Sequence, residues 1–295
     1  MHENSTDSPH KTFAEQVVGR KTEGAKSAVG VLGKLFSALE SIAGDNRIVQ
    51  ILKKNKDAIG DVLEIQTIRW DSGAKDKIFT SKKSVEHNYL GEEKPSQIIV
   101  NSDFFNIEGS RGFLKKVENG DFEATKLGSG EENMAFVTQI GTTKVVVRYP
   151  HRESKQGVNE PFFGPTGIDN YVVLRYIAEK TAVKTAPLYF ATRSIMVMGM
   201  VEGRTLFDYF TQKYGENYEY SPEYKQDAYL TKLESIRNEV QESIRDGIKD
   251  GSFSLLDDPR IPKKYLDLTH NNFMLDEESQ DLILFDPLSG LSSGF

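Results

Sequence analysis

Residues 265–290 read YLDLTHNNFMLDEESQDLILFDPLSG, and this stretch decides how the rest of the chain is read. Phe273-Met274-Leu275 and Leu282 to Phe285 are short apolar runs on either side of a polar segment, the pattern of a β-hairpin. Asp267 and Asn272 stand before the hairpin and Asp286 ends it. These residue types suit one kind of chemistry. A carboxylate can orient a hydroxyl group and take its proton. A second carboxylate and an amide oxygen can hold a divalent cation against phosphates. Asp and Asn are small enough to do this from tight loops.

Upstream, three β-rich pieces, DFEATKLGSG, MAFVTQI and TTKVVVRYP, read as successive antiparallel strands. Gly128, Ser129 and Gly130 lie between the first two, in KLGSGEENMAF. Glycines let a backbone approach phosphates closely and expose its N–H groups, although an ordinary hairpin turn uses the same residues. The third piece carries Val146 and Arg148. The planar fork of an arginine binds phosphate bidentately. Its rival is Lys144, one strand repeat back on the same face, and an exposed strand arginine is the plainer alternative. A helix is expected near Asp169–Lys180, with Tyr171, Leu174 and Ile177 along one side. SIMVMGMVEGRTL reads as a buried strand followed by a linker carrying Glu202-Gly203. A long helix is expected at about Pro222–Lys249, with Leu230, Leu233, Ile236, Val240, Ile244 and Ile248 in register. Strands, helix, strands, helix and hairpin in that order make the α+β class.

The N-terminal part carries no motif with a chemical reading. Residues 1–25 read as a flexible arm; an uncleaved polar export signal of the type III kind has the same composition. From Ser27 to Ile51 apolar residues recur at three- and four-residue spacing, which predicts an amphipathic helix ended by Gly44-Asp45-Asn46 and a second starting near Ile48, a helical hairpin packing on the next domain, or else a helix meeting a membrane surface or a partner. Val62 to Trp70 reads as a strand, Asp71-Ser72-Gly73 as a turn and Ile98 to Val100 as another short strand. SKKSVEHNYLGEEKPSQ, between them, reads as loop. The expected division is a flexible arm at 1–25, a helical and mixed region at 26–119 and the motif-bearing domain at 120–295.

Bulk composition narrows the function classes. With 38% hydrophobic and 27% charged residues over 295 positions, a buried core is expected. The net charge of −7 argues against nucleic-acid binding. The absence of cysteine excludes disulfides, thiolate metal sites and a cysteine nucleophile. The five histidines show no zinc-binding spacing, and His270 is expected on the solvent or phosphate side of its loop. No run approaches the length of a membrane span, so a soluble, cytoplasmic protein is expected, with secretion into a host cell as a variant of that reading.

At these residues the chain resembles the protein-kinase-like superfamily, whose catalytic loop, hairpin and metal-binding aspartate occur in this order. Two compact groups are most similar: the kinase-like type III secretion effectors of enteric bacteria (the NleH and OspG group) and the short protein kinases of lytic bacteriophages. The resemblance covers residues 120–295 and implies a minimal bilobal kinase-like fold with a truncated C-lobe. It implies ATP and Mg²⁺ as cofactors, with Gly128, Ser129 and Gly130 over the phosphates. Arg148 then stands for the usual strand lysine, Val146 lies over adenine, and the linker at Met200 and Val201 pairs with the base. Asp267 is implied as the catalytic aspartate, and Asn272 and Asp286 as metal ligands. A protein substrate is implied, such as a host-cell protein, together with a host activating cofactor of the kind small effector kinases use.

The departures from the pattern matter as much. Tyr265 and Leu266 replace the usual histidine and arginine, which argues against control by activation-loop phosphorylation. Pro287-Leu288 replaces Phe-Gly. The acidic partner of the strand cation has no obvious position; Asp169 is nearest by spacing, with Glu160 and Glu179 as alternatives. The chain ends soon after Asp286, where a peptide-docking region is expected in larger kinases. Three functions therefore compete: a Ser/Thr protein kinase, a small-molecule kinase of the choline or aminoglycoside type, and a pseudokinase that binds a partner or nucleotide without catalysis.

Overall fold

The computed structural model describes residues 63–87, 92–110, 112–113, 116, 122–129, 133–150, 165–193 and 195–289. The polar arm over 1–25 and the amphipathic segment over 27–51 lie outside these residues.

Strand β1 (Leu63–Arg69) forms where the alternation after Val62 predicts it. Asp71-Ser72-Gly73 turns the chain, with Gly73 at φ +85°, and the Trp70 N–H donates to the Ala74 carbonyl at 3.0 Å. Strand β2 (Lys75–His87) follows and returns as β3 (Glu93–Asn101). This corrects the loop reading of residues 81–97. Pairs from Thr80↔Gln97 to His87↔Glu93 continue the ladder through that polar stretch, with a register shift between Thr80 and Val85. Backbone pairing does not require apolar side chains, so the outer half of this hairpin has no hydrophobic signature. Its inner half does: Ile78, Phe79, Ile98, Ile99 and Val100 are all buried.

Strands β4 (Thr125–Ser129), β5 (Asn133–Ile140) and β6 (Thr143–Pro150) form the expected meander. Helix α1 (Gly167–Lys180) leads to β7 (Lys184–Thr185), β8 (Leu188–Thr192) and β9 (Met196–Gly199). The large sheet is antiparallel, in the order β1-β2-β3-β8-β9-β6-β5-β4. The β3–β8 pairing makes one sheet of strands that precede and follow residue 120.

Strand alternation sorts the apolar residues onto two faces. Phe79, Ile98, Val100, Phe136, Val145, Val147, Phe190 and Val197 face a cluster with Phe104, Phe113 and Phe122. Ile78, Ile99, Met196 and Met198 face α1, and Val146 packs at the margin of that second cluster. Leu188 and Phe190 would share a face in a regular strand. A register shift between them puts Leu188 on the α1 side and Phe190 on the other. Helix α1 is buried almost all round, more widely than the single stripe of Tyr171, Leu174 and Ile177 predicts, because its far side packs on α3 (Ala228–Asp250).

The remaining elements are β10 (Arg204–Thr205), α2 (Leu206–Tyr214), α4 (Ile261–Tyr265), β11 (Phe273–Asp276) and β12 (Asp281–Leu284). They make a small sheet in the order β10-β11-β12-β7, with β7 parallel to β12. Helix α3 starts later than Pro222. Two 3-10 turns, Tyr218–Tyr220 and Tyr224–Gln226, come first, and Asp227 caps the helix by accepting the Tyr229 N–H at 2.7 Å. The class is α+β, with four helices and two sheets among the described residues. No helix there is long and apolar enough to cross a membrane.

Candidate functional site

Two loops flank the β11–β12 hairpin, and hydrogen bonds join them. Phe273↔Leu284 to Asp276↔Asp281 set the hairpin register, which returns Phe285 beside Asn272. The Phe285 N–H then donates to the Asn272 carbonyl at 3.1 Å. Further on, the Asp267 N–H donates to the Pro287 carbonyl at 2.8 Å, and the Ser289 N–H donates to the Tyr265 carbonyl at 2.9 Å. Leu266 and Leu288 form the bridge between these contacts. The structure thus brings Asp267, Asn272 and Asp286 onto two adjoining backbone segments.

Their side chains are oriented by local bonds. One Asp267 carboxylate oxygen accepts the Thr269 N–H at 3.1 Å. The Asn272 amide nitrogen donates to the Asp267 carbonyl at 3.1 Å, which leaves the amide oxygen as the atom able to serve a cation. Asp286 meets Arg148: guanidinium Nη2 and carboxylate Oδ2 are 2.5 Å apart, with side chains only 8% and 17% exposed. Arg148 lies on β6, on the α1 side of the sheet together with Val146. Its ladder row runs Gly128↔Ala135, Ala135↔Arg148 and Arg148↔Met196. Gly128 is therefore two strands from Arg148, about 10 Å at the usual strand spacing.

The register of β4 slips between Lys126 and Gly128, leaving Leu127 half-exposed at the bulge just before Gly128 and Ser129. Gly130 lies outside the described residues. Lys144, the rival cation, bonds Glu202 of the linker at 2.9 Å and stays exposed. Of the linker residues expected at a base, Met200 has its N–H committed to the Lys144 carbonyl at 3.2 Å. Val201 is half-buried at the edge of the α1-side cluster, and among the described residues its backbone groups have no hydrogen-bond partner. Gly203 closes this linker at φ +133°, where a side chain would come within 2.3 Å of the Leu275 carbonyl oxygen.

The two acidic candidates within the described residues, Asp169 and Glu179, are engaged elsewhere. Asp169 forms a capping box, accepting from the Thr166 N–H and hydroxyl at 2.7 Å each. Burial pushes its carboxyl up to about 6 against those bonds. Glu179 binds the β1–β2 turn through Ser72, and Glu160 lies outside the described residues. Among the described residues an acid that pairs with Arg148 is Asp286, which the sequence reading assigned to metal.

His270 is also corrected. It is buried against Phe210, with Nδ1 3.0 Å from the Tyr218 hydroxyl and Nε2 3.0 Å from the Tyr224 hydroxyl. Burial, aided by the Arg237 charge, holds its pKa below the ordinary 6.5. It fixes the loop from beneath rather than facing phosphate or solvent. The aromatic spacing in YGENYEYSPEY was the available signal for this packing.

No protein-family model matches the chain, and a comparison with curated proteins finds no match. Function has to be argued from the site itself. Among the described residues no group of three or more acidic or histidine side chains could hold a metal alone. A Mg²⁺ ion is ordinarily held by one or two carboxylates together with waters and substrate phosphates, so Asp286 and the Asn272 oxygen are a fitting protein share.

Proposed function

We propose that this chain is an ATP- and Mg²⁺-dependent phosphotransferase, acting on a Ser or Thr hydroxyl of another protein. The observation that supports this reading is the convergence of Arg148 with Asp286 at 2.5 Å, on the segment bonded to Asp267 and Asn272. The donor set fits a metal-bound triphosphate: a guanidinium for phosphate oxygens, a carboxylate and an amide oxygen for Mg²⁺, and a further carboxylate for the acceptor. When bound, Mg²⁺ supplies charge neutralisation on the phosphates.

The chain's own residues do the rest. Asp267 holds the acceptor hydroxyl and takes its proton with the carboxylate oxygen that Thr269 does not occupy. Asn272, with its nitrogen anchored on the Asp267 carbonyl, has its amide oxygen left to serve Mg²⁺. Asp286 would hold Mg²⁺ with one of its carboxylate oxygens, and the Arg148 guanidinium beside it would supply positive charge for phosphate oxygens. Val146 and Val201 offer apolar contact to the base.

The test is transfer of γ-labelled phosphate from ATP with Mg²⁺, with and without host-cell lysate, beside an Asp267→Ala control. Label on a protein band that disappears in the control supports the reading. Absence of both transfer and nucleotide affinity overturns it. The same Arg148–Asp286 pair favours a second reading, because it ties the metal carboxylate to a protein cation: a pseudokinase that binds nucleotide without transfer. Affinity without label would select it.

A further inference from the structure

Helix α1 is held at both ends. At its start, the Thr166–Asp169 capping box is joined by the Gly167 N–H, which donates to the Arg193 carbonyl at 3.0 Å. A side chain at Gly167 would lie 2.4 Å from the Thr192 carbonyl oxygen, so the helix begins directly against the β8–β9 turn.

At its end the contacts come from the β1–β2 turn, remote in sequence. Ser72 donates to the Glu179 carboxylate through its N–H at 2.9 Å and its hydroxyl at 2.7 Å. Lys180 pairs with Asp71. Arg175, on α1 itself, extends toward the hairpin, 3.4 Å from Asp76 Oδ2, 3.7 Å from Glu179 Oε1 and 5.7 Å from the centre of the Trp70 ring. Trp70 Nε1 donates to the same Asp76 oxygen at 2.7 Å. Asp76 is fully buried, and burial pushes its carboxyl up despite Arg175.

A turn that only reverses a surface hairpin has no need of a buried carboxylate, an indole and a buried guanidinium. These groups also stand outside the phosphate chemistry proposed above. What they share is α1, which packs against β6, β8 and β9, and β6 carries Arg148. We propose that the β1–β2 hairpin is a clamp on α1. Trp70, Asp76, Arg175 and Glu179 are positioning residues that act through the helix on β6 and Arg148. The clamp stands on contacts alone, while the positioning role rests on the nucleotide reading.

The experiment uses the full chain and compares Glu179→Ala, which removes the acceptor for Ser72, with Glu179→Gln, which keeps an acceptor oxygen. Two quantities are read: hydrogen exchange of the amides at 174–180, and affinity for Mg·ATP by calorimetry. Glu179→Ala is expected to speed exchange at the end of α1 and to weaken Mg·ATP about fivefold, while Glu179→Gln stays within about twofold of wild type. If Glu179→Ala does not fold, Ser72→Ala at the exposed turn loses one of the two bonds and should shift both readouts the same way. Unchanged exchange overturns the clamp. Faster exchange with unchanged affinity overturns the positioning role. Wild-type protein without Mg·ATP affinity overturns the nucleotide reading and the positioning role together, and the exchange result still decides the clamp.

Discussion

Arg148 and Asp286 form a largely buried ion pair at the point where nucleotide and metal are proposed to bind, so each can be tested apart from the other. Truncating one member of such a pair leaves the other desolvated, and Arg148→Ala is expected to lower stability by about 3 kcal/mol in denaturant titration. Asp286→Asn keeps a hydrogen-bond acceptor for Arg148 and removes only the charge. It should stay folded and weaken Mg²⁺-dependent nucleotide binding about tenfold, because a neutral ligand holds the cation poorly. Equal affinity in wild type and Asp286→Asn would remove Asp286 from the metal site. Asp267 is predicted to act on the acceptor alone. Asp267→Ala should slow transfer by about 10²- to 10⁴-fold with nucleotide affinity retained, and near-normal turnover would show that the proton goes elsewhere.

At the scale of elements, the entry to α3 depends on one carboxylate. Asp227 caps the helix and also accepts from Lys213 Nζ at 2.8 Å and the Tyr214 hydroxyl at 2.7 Å, while being nearly buried. Burial alone would raise its pKa, but the bonds from Lys213 and Tyr214 outweigh it and hold the carboxyl below its usual range. Asp227→Ala removes a cap and leaves the Lys213 ammonium unpaired beside Tyr209 and Tyr214. A loss of about 2–4 kcal/mol is expected from thermal unfolding. This carboxylate was not legible in the sequence, where Pro222 served as the start of the helix, because 3-10 turns carry no periodic apolar signal. Elements with strong patterns were legible: the β4–β6 meander, α1, and the β11–β12 hairpin that sets Asp267, Asn272 and Asp286 side by side. The outer halves of β2 and β3 were not, since a polar ladder resembles a polar loop until its partner strand is known. The Arg148–Asp286 contact joins β6 to the segment after β12, far apart in the chain, and follows from topology, not local spacing. His270 was misplaced for a similar reason, since Tyr218 and Tyr224 reach it only after their turns have folded.

Across the whole molecule, buried titratable groups set opposing pH dependences. His270 has a folded pKa below 6.5, so folding favours its neutral form. Its stabilisation is complete above the unfolded value of about 6.5 and is lost as pH falls toward the lower folded value. Asp169 runs the other way. Its folded pKa, raised from 3.8 to about 6, favours the protonated acid, so its contribution is complete below 3.8 and is lost as pH rises to about 6. Asp76, also raised by burial, adds to the second trend. Each such group can change stability by at most about 1.4 kcal/mol per pH unit, and between about pH 6.5 and 4 the two trends oppose each other. The wild-type unfolding free energy is therefore expected to be nearly flat over that interval. Asp169→Asn keeps a capping side chain but removes the acid's titration, and should make the protein lose stability on acidification from pH 6.5. His270→Phe keeps a ring against Phe210 and removes the other trend, and should make stability rise as pH falls from 6 to 4, whatever the absolute cost of the two tyrosine hydroxyls it leaves unpartnered. Urea titrations at half-unit intervals read these slopes directly. Parallel slopes in the wild type and both variants would show that the buried His270 and Asp169 do not titrate in this range, and that the acid response belongs to the carboxylates held below 3.8, such as Asp227 and Asp281.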